Sequence, residues 1–236
     1  MIEKIFPLRR VRSFVRRDGR MTDGQKDALV KVWPKFQLSL EDGLIDPPTP
    51  TVLEIGFGSG YSLVEMAKGH PTTHFIGIET YRPGIGSLMM EVEREQLNNV
   101  RVYYADAVEV LENGLPLESL DVVQIFFPDP WPKRRHHKRR LIQPRFVELV
   151  VSRLKVGGTL HLATDWEHYA EEMMKVLSVA NGLQNLAGVG EFSNRSTQRP
   201  VVTKFEKRGQ VSGRPIRELQ FKKTSPPLSN MGGERV

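Results

Sequence analysis

The sequence predicts an α/β protein whose core is a doubly wound, mainly parallel sheet. From residue 51 to residue 177, short apolar segments alternate with longer amphipathic segments at the spacing of successive strand and helix units. Five of the apolar segments contain an acid or are followed by one: Glu54, Glu79, Asp106, Asp129 and Asp165. Since the carboxyl ends of parallel strands meet at one edge of a sheet, we expect these acids to line a single crevice.

The chain has 236 residues, 39% of them hydrophobic, which suits one sizeable core. We predict a main domain over residues 51–223, preceded by a helical segment and a proline-rich linker over 21–50. Residues 1–20 are predicted to be a flexible basic arm, and residues 224–236 a disordered tail. The alternating residues 215–223 predict a final, antiparallel edge strand.

Composition excludes several kinds of chemistry. The chain has no cysteine, so disulfides, thiolate catalysis and Cys-ligated metals are excluded. The histidines show no metal-ligand spacing apart from the adjacent His136 and His137, whose cationic neighbours would repel a metal ion, so no metal site is predicted. No apolar run approaches the roughly 18 to 20 residues of a membrane span, and the N-terminus lacks a signal-like core. We therefore expect a cytoplasmic protein with no membrane contact.

The positive charge is concentrated in two segments. The formal net charge is +6, yet residues 1–20 alone carry seven Lys or Arg against two acids. Residues 133–140 carry six more and no acid, so the rest of the chain is acidic. Basic segments on an acidic body indicate a polyanionic partner, because each neutralised phosphate releases condensed counterions.

The first elements of the main domain suggest a small-molecule site. A weakly periodic helix is predicted from Thr22, broken at Pro34. Residues 51–60, TVLEIGFGSG, then contain a buried strand, with Val52, Leu53 and Ile55, followed by a glycine turn into a helix. Glycines at Gly56, Gly58 and Gly60 allow a ligand to lie across the strand end and meet the next helix.

This glycine pattern argues against a dinucleotide. Tyr61 stands where the dinucleotide fingerprint needs its third glycine, and Glu54 would repel a pyrophosphate. A ligand with an adenosine and a positive charge but no phosphate suits the site better, and S-adenosylmethionine is the common one. We predict cofactor contacts from Glu54 and the three glycines.

Two further strands continue the pattern. Residues 74–79 form a strand ending in Glu79, where a carboxylate reaches a ribose diol. Residues 100–106 form another, ending in Asp106, which could accept from the adenine amino group. Between them, residues 83–97 predict an amphipathic helix whose buried side is formed by Ile85, Leu88, Met89, Val92 and Leu97.

A proline-rich loop follows the fourth predicted strand, residues 121–127. Three prolines in five positions, PDPWP at 128–132, should hold Asp129 and Trp131 on an extended backbone ahead of the basic run. A rigid carboxylate beside an aromatic face and a cationic run favours an enzyme acting on a nucleic-acid base over a solvated turn. Trp131 and Trp166 suit base stacking and core packing equally.

The last regular elements complete the domain. Residues 144–155 predict a helix with proline in its first turn, stopped by Gly157 and Gly158. Residues 159–164 predict a fifth strand, ending at Asp165, and residues 167–177 a further helix.

These residues together resemble the bacterial tRNA (guanine-N7)-methyltransferases, over residues 13 to 222. The marks shared with many methyltransferases are LEIGFGSG at 53–60, GIE at 77–79 and AD at 105–106. More specific are FFPDPWPKRRHHKRR at 126–140, ATDW at 163–166 and TKFE at 203–206. The resemblance implies a Rossmann-like sheet of the S-adenosylmethionine-dependent methyltransferase type.

The resemblance also implies an activity and a set of site residues. The activity is methyl transfer from S-adenosylmethionine to N7 of a guanine in the tRNA variable loop, at position 46 of the tRNA, by a monomer or homodimer that needs no obligate protein partner. Cofactor contacts are implied for Glu54, Glu79, Asp106 and Asp129. Substrate contacts are implied for Lys133, Asp165, Thr203, Lys204, Phe205 and Glu206. RNA contacts are implied for Arg135, His136, His137, Lys138, Arg139 and Arg140.

Asp129 is the predicted catalytic residue. Guanine N7 has an in-plane lone pair and needs no prior deprotonation. Asp129 would therefore stabilise the developing positive charge or orient the base, and proton abstraction is the lesser alternative. The rival interpretations are another RNA base methyltransferase, acting on ribosomal RNA or an exocyclic amine, and a non-enzymatic RNA-binding protein. A dinucleotide-dependent oxidoreductase is disfavoured by the missing third glycine.

Overall fold

The computed structural model describes residues 13–14, 19–48, 50–196, 199, 202, 206, 211 and 213–224. The predicted tail from residue 225 onward, most of the predicted arm at 1–20, and Thr203, Lys204 and Phe205 lie outside this range, whereas Thr224 N donates to Gly182 O at 2.9 Å. The strands are β1 (Gln37–Leu38), β2 (Thr51–Ile55), β3 (His74–Ile78), β4 (Val100–Tyr103), β5 (Leu120–Phe126), β6 (Leu154–Thr164), β7 (Leu183–Asn185) and β8 (Arg217–Lys223). The helices are α1 (Asp23–Lys31), α2 (Tyr61–Gly69), α3 (Arg82–Arg94), α4 (Ala107–Asn113), α5 (Pro144–Arg153) and α6 (Glu167–Ser178).

The described strands form one mixed sheet, which confirms the predicted fold class. Their order is β1-β4-β3-β2-β5-β6-β8-β7, and the pairs from β1 to β6 are parallel. The chain runs outward from β2 to β4 and then returns to the other side of β2 with β5. Such a reversal opens a crevice at the carboxyl ends of the strands on either side of it.

The antiparallel end of the sheet differs in detail from the prediction. The strand predicted as the final edge is β8, and it pairs with β6 on one side and β7 on the other. The outermost strand is therefore β7, and β1 lies at the opposite edge. Strands of two and three residues carry too little sequence pattern to be recognised.

Local signals account for several helix boundaries. Thr22 caps α1 through a reciprocal pair, in which Gln25 N donates to Thr22 Oγ1 at 3.2 Å and Thr22 N donates to Gln25 Oε1 at 2.8 Å. Helix α4 was not predicted, although Asp106 caps it by accepting from Val108 N at 2.9 Å. The prediction that Gly157 and Gly158 stop the helix is wrong, because α5 already ends at Arg153 and β6 begins at Leu154, with Gly157 inside it at φ of 86°.

Two apolar clusters hold the sheet between its helices. Successive residues of β2 face different clusters, with Leu53 in the cluster that includes α5 and α6 side chains and Val52 against the cluster of α1, α2 and α3. The predicted buried set of α3 is confirmed, since its members are between 0% and 8% exposed: Ile85, Leu88, Met89, Val92 and Leu97. The sheet is therefore a rigid frame that fixes the positions of its strand ends.

Candidate active site at the carboxyl ends of the strands

Strand order brings distant acids together. Glu54 of β2 is in register with Gly77 of β3 on one side and with Gln124 of β5 on the other. Glu79 directly follows β3, and Asp129 follows β5 by three residues. The charge of Glu79 raises the pKa of Glu54, and the charge of Asp129 contributes to a raised pKa of Glu79. The three carboxyl groups thus form one electrostatically coupled row.

Glu54 is the buried member of this row. Its side chain is 3% exposed, and Oε2 has no hydrogen-bond partner among the described residues. Burial, reinforced by the charge of Glu79, raises the pKa of Glu54 to about 8. Gln124 Oε1, on the neighbouring strand, is likewise buried without a partner in the described structure. A positive group placed here would satisfy both acceptors.

Glu79 ties the glycine turn to the start of α3. Its carboxylate accepts from Gly58 N at 2.9 Å, from Thr80 N at 2.6 Å and from Tyr81 N at 2.9 Å. Burial raises the pKa of Glu79 in spite of these hydrogen bonds. Three backbone donors fix the carboxylate at the rim of the crevice.

The three glycines differ in what surrounds them. All have a left-handed backbone, with φ of 76° at Gly56, 60° at Gly58 and 79° at Gly60. A Cβ at Gly60 would lie 2.7 Å from Leu88, whereas one at Gly56 or Gly58 would meet nothing within 4 Å. Gly60 therefore serves close packing on α3, and Gly56 and Gly58 border open space that a ligand can occupy.

A cleft of about 410 Å³ lies next to Asp106. Its lining combines the ends of β1 and β4 with the start of α4 and one residue of the N-terminal segment: Phe14, Leu38, Thr80, Tyr104, Asp106 and Glu109. Aromatic side chains interleaved with hydroxyl, amide and carboxyl groups suit a flat heterocycle with polar edges, such as adenine. The contribution of residues 37–41 was not predicted from the sequence.

The proline loop is bent at both ends rather than extended. Phe127, before Pro128, has φ of 52°, and Trp131, before Pro132, has φ of 44°. The prediction of an extended backbone is therefore wrong at Trp131, because tertiary contacts outweigh the local preference. Phe127 N donates to Ala163 O at 2.7 Å, and Trp131 Nε1 donates to Ser13 O at 3.0 Å. Left-handed residues of this kind concentrate at functional sites.

Trp131 is packed against the basic run. The guanidinium of Arg139 lies 4.0 Å from the centre of the Trp131 ring, and Arg139 Nη2 donates to Phe14 O at 3.2 Å. His136 meets the same ring edge-on, with ring centres 5.8 Å apart. One face of the indole is thus covered by protein. Trp166 packs against the larger apolar cluster.

The basic run forms a short 3-10 helix, Arg134–Arg139, and presents most of its cations to solvent. Four of its residues are exposed: Lys133, Arg134, Arg135 and Lys138. Burial lowers the pKa of His136, and the neighbouring cations, Arg135 first, lower it further, so its imidazole is neutral at pH 7.

Arg140 differs from the rest of the run. Its side chain is 2% exposed, Nε donates to Pro130 O at 2.8 Å, and Nη1 pairs with Glu172. The guanidinium is therefore directed into the protein, where it holds the proline loop, and not toward a phosphate. Glu172, His137 and His168 have ligand atoms within 4.8 Å of one another, but Arg140 already places a cation against Glu172 and His168.

The remaining predicted substrate residues lie beyond β6. Asp165 pairs with Arg214, whose Nη2 is 2.9 Å from Asp165 Oδ2. Glu206 is 1% exposed and pairs with Arg195, at 3.0 Å, and with Arg199. Its carboxylate is therefore enclosed between arginines rather than open to a substrate.

Comparison with known proteins assigns the chain to a family. Residues 48–219 match a family described as "Putative methyltransferase". A tRNA (guanine-N(7)-)-methyltransferase of Alcanivorax borkumensis is 51% identical over 222 residues, which cover 92% of each chain. One of Idiomarina loihiensis is 50% identical over 221 residues, which cover 91% of this chain and 90% of the relative. This chain belongs to the tRNA (guanine-N7)-methyltransferase family.

Solved structures similar to this family member support the same fold. A 16S rRNA methyltransferase, KamB, superposes with a TM-score of 0.55 at 13% identity, over 92% of this chain and all of the other. The [4+2]-cyclase SpnF superposes with a TM-score of 0.53 at 13% identity, over 78% of each chain. At such identity the likeness concerns the fold alone. Within the described part of this family member, no helix is both long and apolar enough to cross a membrane.

Sequence reasoning missed several residues at the site of this family member. They are Phe14, Gln124, Arg199 and Arg214, which reach the crevice or its supports from separate parts of the chain. Gln124 could have been recognised from the sequence, because a single amide side chain inside an apolar strand is unusual in a core. The others depend on contacts between segments far apart in sequence.

Proposed function

We propose that this protein transfers a methyl group from S-adenosylmethionine to N7 of a guanine in tRNA, at position 46 in the variable loop. The observation that carries the proposal is the coupled row of Glu54, Glu79 and Asp129, in which one carboxyl oxygen, Glu54 Oε2, is buried without a hydrogen-bond partner in the described structure. Such a row favours a positively charged ligand. Membership of the family and the names of its relatives indicate the acceptor.

The residues present fit this cofactor. Glu54 and the open space at Gly56 and Gly58 would receive its positively charged amino acid part, because an unpaired buried acid gains most from a cation. Glu79 would bind the ribose diol, and Asp106, beside the cleft, would accept a hydrogen bond from the adenine amino group. The bound cofactor supplies an electrophilic methyl group on a sulfonium.

Asp129 is placed to act on the purine. It is exposed at the end of β5 and close enough to Glu79 to affect its pKa, so it lies between the cofactor side and the open side of the crevice. The guanine N7 lone pair attacks without losing a proton, and the purine gains positive charge as the bond forms. A fixed carboxylate would stabilise this charge and orient the base through its N1 and amino hydrogens.

The basic run would hold the RNA. Its exposed cations stand on the loop that also carries Asp129, and they would bind phosphates without reading sequence. Lys133, on the loop after β5, and Asp165, directly after β6, are proposed to contact the acceptor nucleotide. We extend the same proposal to the segment that contains Thr203, Lys204 and Phe205, and to His137 and Arg139 on the RNA side.

The test is methylation of unmodified tRNA with methyl-labelled S-adenosylmethionine, followed by mapping of the labelled atom. We expect N7-methylguanosine at position 46. The matched control is the same tRNA carrying 7-deazaguanosine at that position, which has no N7 and should accept no label. Label on an exocyclic amine would indicate a different base methyltransferase, and tRNA binding without transfer of label would indicate an RNA-binding protein.

A further inference from the structure

A buried ionic network lies beside the strand end that leads to Asp129. At its centre is Arg199, which is 0% exposed. Its Nε and Nη2 donate to Glu218 Oε1 at 3.1 and 2.5 Å, and Nη1 pairs with Glu206. Glu218 Oε2 accepts from Ser196 N at 3.0 Å and lies 2.9 Å from His161 Nε2. The network joins β6, β8 and the chain between β7 and β8.

Hydrogen bonds favour the ionised form of Glu218. Burial alone would raise the pKa of Glu218, but hydrogen bonds from His161, Arg199 and the Ser196 amide outweigh it and hold the pKa below its usual value. Two buried carboxylates therefore depend on one fully buried guanidinium. Ionic groups in such a setting persist when they fix a geometry that apolar side chains would leave variable.

The ionic network lies against the carboxyl end of β5. Glu218 is in register with Ala163 of β6, and Ala163 is in register with Phe126. The guanidinium of Arg199 lies 5.5 Å from the centre of the Phe126 ring and 5.7 Å from that of the Phe127 ring. Arg199 thus contacts the last residue of the strand and the first residue of the turn.

Phe127 determines where the proline loop points. Its left-handed backbone is costly for a bulky residue and persists only where the surroundings impose it. These surroundings include the hydrogen bond from Phe127 N to Ala163 O and the Arg199 guanidinium over the Phe127 ring. Pro128 and Asp129 follow directly, so a change of φ at Phe127 would swing the carboxylate away from the crevice.

We propose that Arg199 is a positioning residue for methyl transfer, which rests on the proposed function. It stabilises the left-handed turn at Phe127, and with it the orientation of Asp129. Through Glu206 it also anchors the end of the TKFE motif to the same strand end. Glu206 then acts inside the protein, as a partner of Arg199, and not as a ligand of the substrate.

The principal variant is Arg199→Lys, which keeps a positive charge for the buried carboxylates but loses the planar fork. We expect the single-turnover rate at saturating tRNA and cofactor to fall about 10- to 100-fold, the effect of a small displacement of a reacting group. The dissociation constant of S-adenosylmethionine should change much less than the rate, because the contacts that the structure describes for Arg199 do not include Glu54, Glu79 or the glycine turn.

Arg153→Lys is the matched control. Arg153 is also buried, and its Nε donates to Leu111 O at 2.6 Å, but it lies where β6 begins, at the far end of the strand from Asp165. This variant should lower the melting temperature without slowing transfer. A second variant, Phe127→Leu, removes the ring beneath the guanidinium, leaves the ion pairs intact and should slow transfer in the same direction.

A double-mutant cycle gives the decisive readout. If Arg199 acts through Asp129, Arg199→Lys should slow transfer much less in an Asp129→Asn background than in the wild type. A folded Arg199→Lys protein with the rate of Arg153→Lys would overturn the inference, as would fully additive effects in the cycle. If Arg199→Lys does not fold, a normal rate for Phe127→Leu overturns it. Absence of tRNA methylation by the wild-type protein would instead refute the proposed function, and the inference with it.

Discussion

Replacement of Glu54 by Gln tests the protonation state of the buried carboxyl group at the proposed cofactor site. The pKa of Glu54 is raised from 4.5 to about 8, chiefly by burial and then by Glu79. This difference corresponds to about 5 kcal/mol disfavouring the ionised form in the folded protein. Gln at this position stays neutral at every pH, and its amide nitrogen can donate to the unpartnered Gln124 Oε1. We therefore expect Glu54→Gln to fold and to lose a pH dependence that the wild type has.

Proton binding to Glu54 determines the direction in which the free energy of unfolding changes with pH. Between pH 4.5 and 8 the folded state keeps a proton on Glu54 that the unfolded state has lost. The free energy of unfolding therefore falls as pH rises through this window. Relative to the wild type, Glu54→Gln should gain about 3.5 kcal/mol of stability between pH 5 and pH 8. Urea denaturation at a series of pH values measures this difference directly.

Ligand binding should show the opposite trend. The positive charge of S-adenosylmethionine selects the ionised form of Glu54, so wild-type affinity should rise up to about 30-fold from pH 6 to 7.5. Titration calorimetry in buffers of different ionisation enthalpy should detect release of a proton. Glu54→Gln should bind more weakly and without this pH dependence.

Glu148→Gln is the control for both experiments, because Glu148 is an exposed carboxylate on α5 and does not line the cleft. It should behave as the wild type does in stability and in binding. The reasoning is refuted if Glu54→Gln and the wild type show the same pH dependence of unfolding and of cofactor affinity.

Three further predictions follow from the same geometry. Asp129→Asn should lower the single-turnover rate about 10²- to 10³-fold while tRNA affinity, measured by filter binding, changes little; a normal rate would remove its charge from the mechanism. Asp106→Ala should lower the free energy of unfolding, measured by urea denaturation, by about 1 kcal/mol because it removes the cap of α4. Asp106→Asn should retain the cap, so equal losses of stability in the two variants would contradict the capping role. With Lys133, Arg134, Arg135 and Lys138 exposed, the logarithmic salt slope of tRNA binding should be about −3, and Lys138→Ala should reduce it by about 0.7; a slope near zero would exclude phosphate contacts by this run.

The parallel sheet was predictable because its signals are local and repeated. Apolar strands, the glycine turn after Ile55 and the periodic helix α3 each carry their own pattern, and acids after successive strands must meet once the strands are parallel. The elements that were missed are short. Helix α4 has seven residues and β1 has two, so tertiary pairing, and not periodicity, defines them.

The finer structure of the site could not be predicted, because it depends on contacts between distant segments. Local preference favours an extended backbone at the residue before each proline. Trp131 nevertheless has a left-handed backbone, and its indole N–H donates a hydrogen bond to Ser13 O. Arg140 belongs by sequence to a solvated basic run, but Pro130 and Glu172 draw it inward. In each case, the partners that reverse the local expectation come from other parts of the fold.

The position of Asp129 links the two halves of the reaction. The chain reverses direction across the sheet between β4 and β5. In the proposed function, Glu79 serves the cofactor half of the reaction and the loop after β5 serves the acceptor half. Because the charge of Asp129 helps raise the pKa of Glu79, the two halves are coupled electrostatically. Because burial raises the pKa of Glu79, binding of a cation beside this carboxyl group should favour its ionised state.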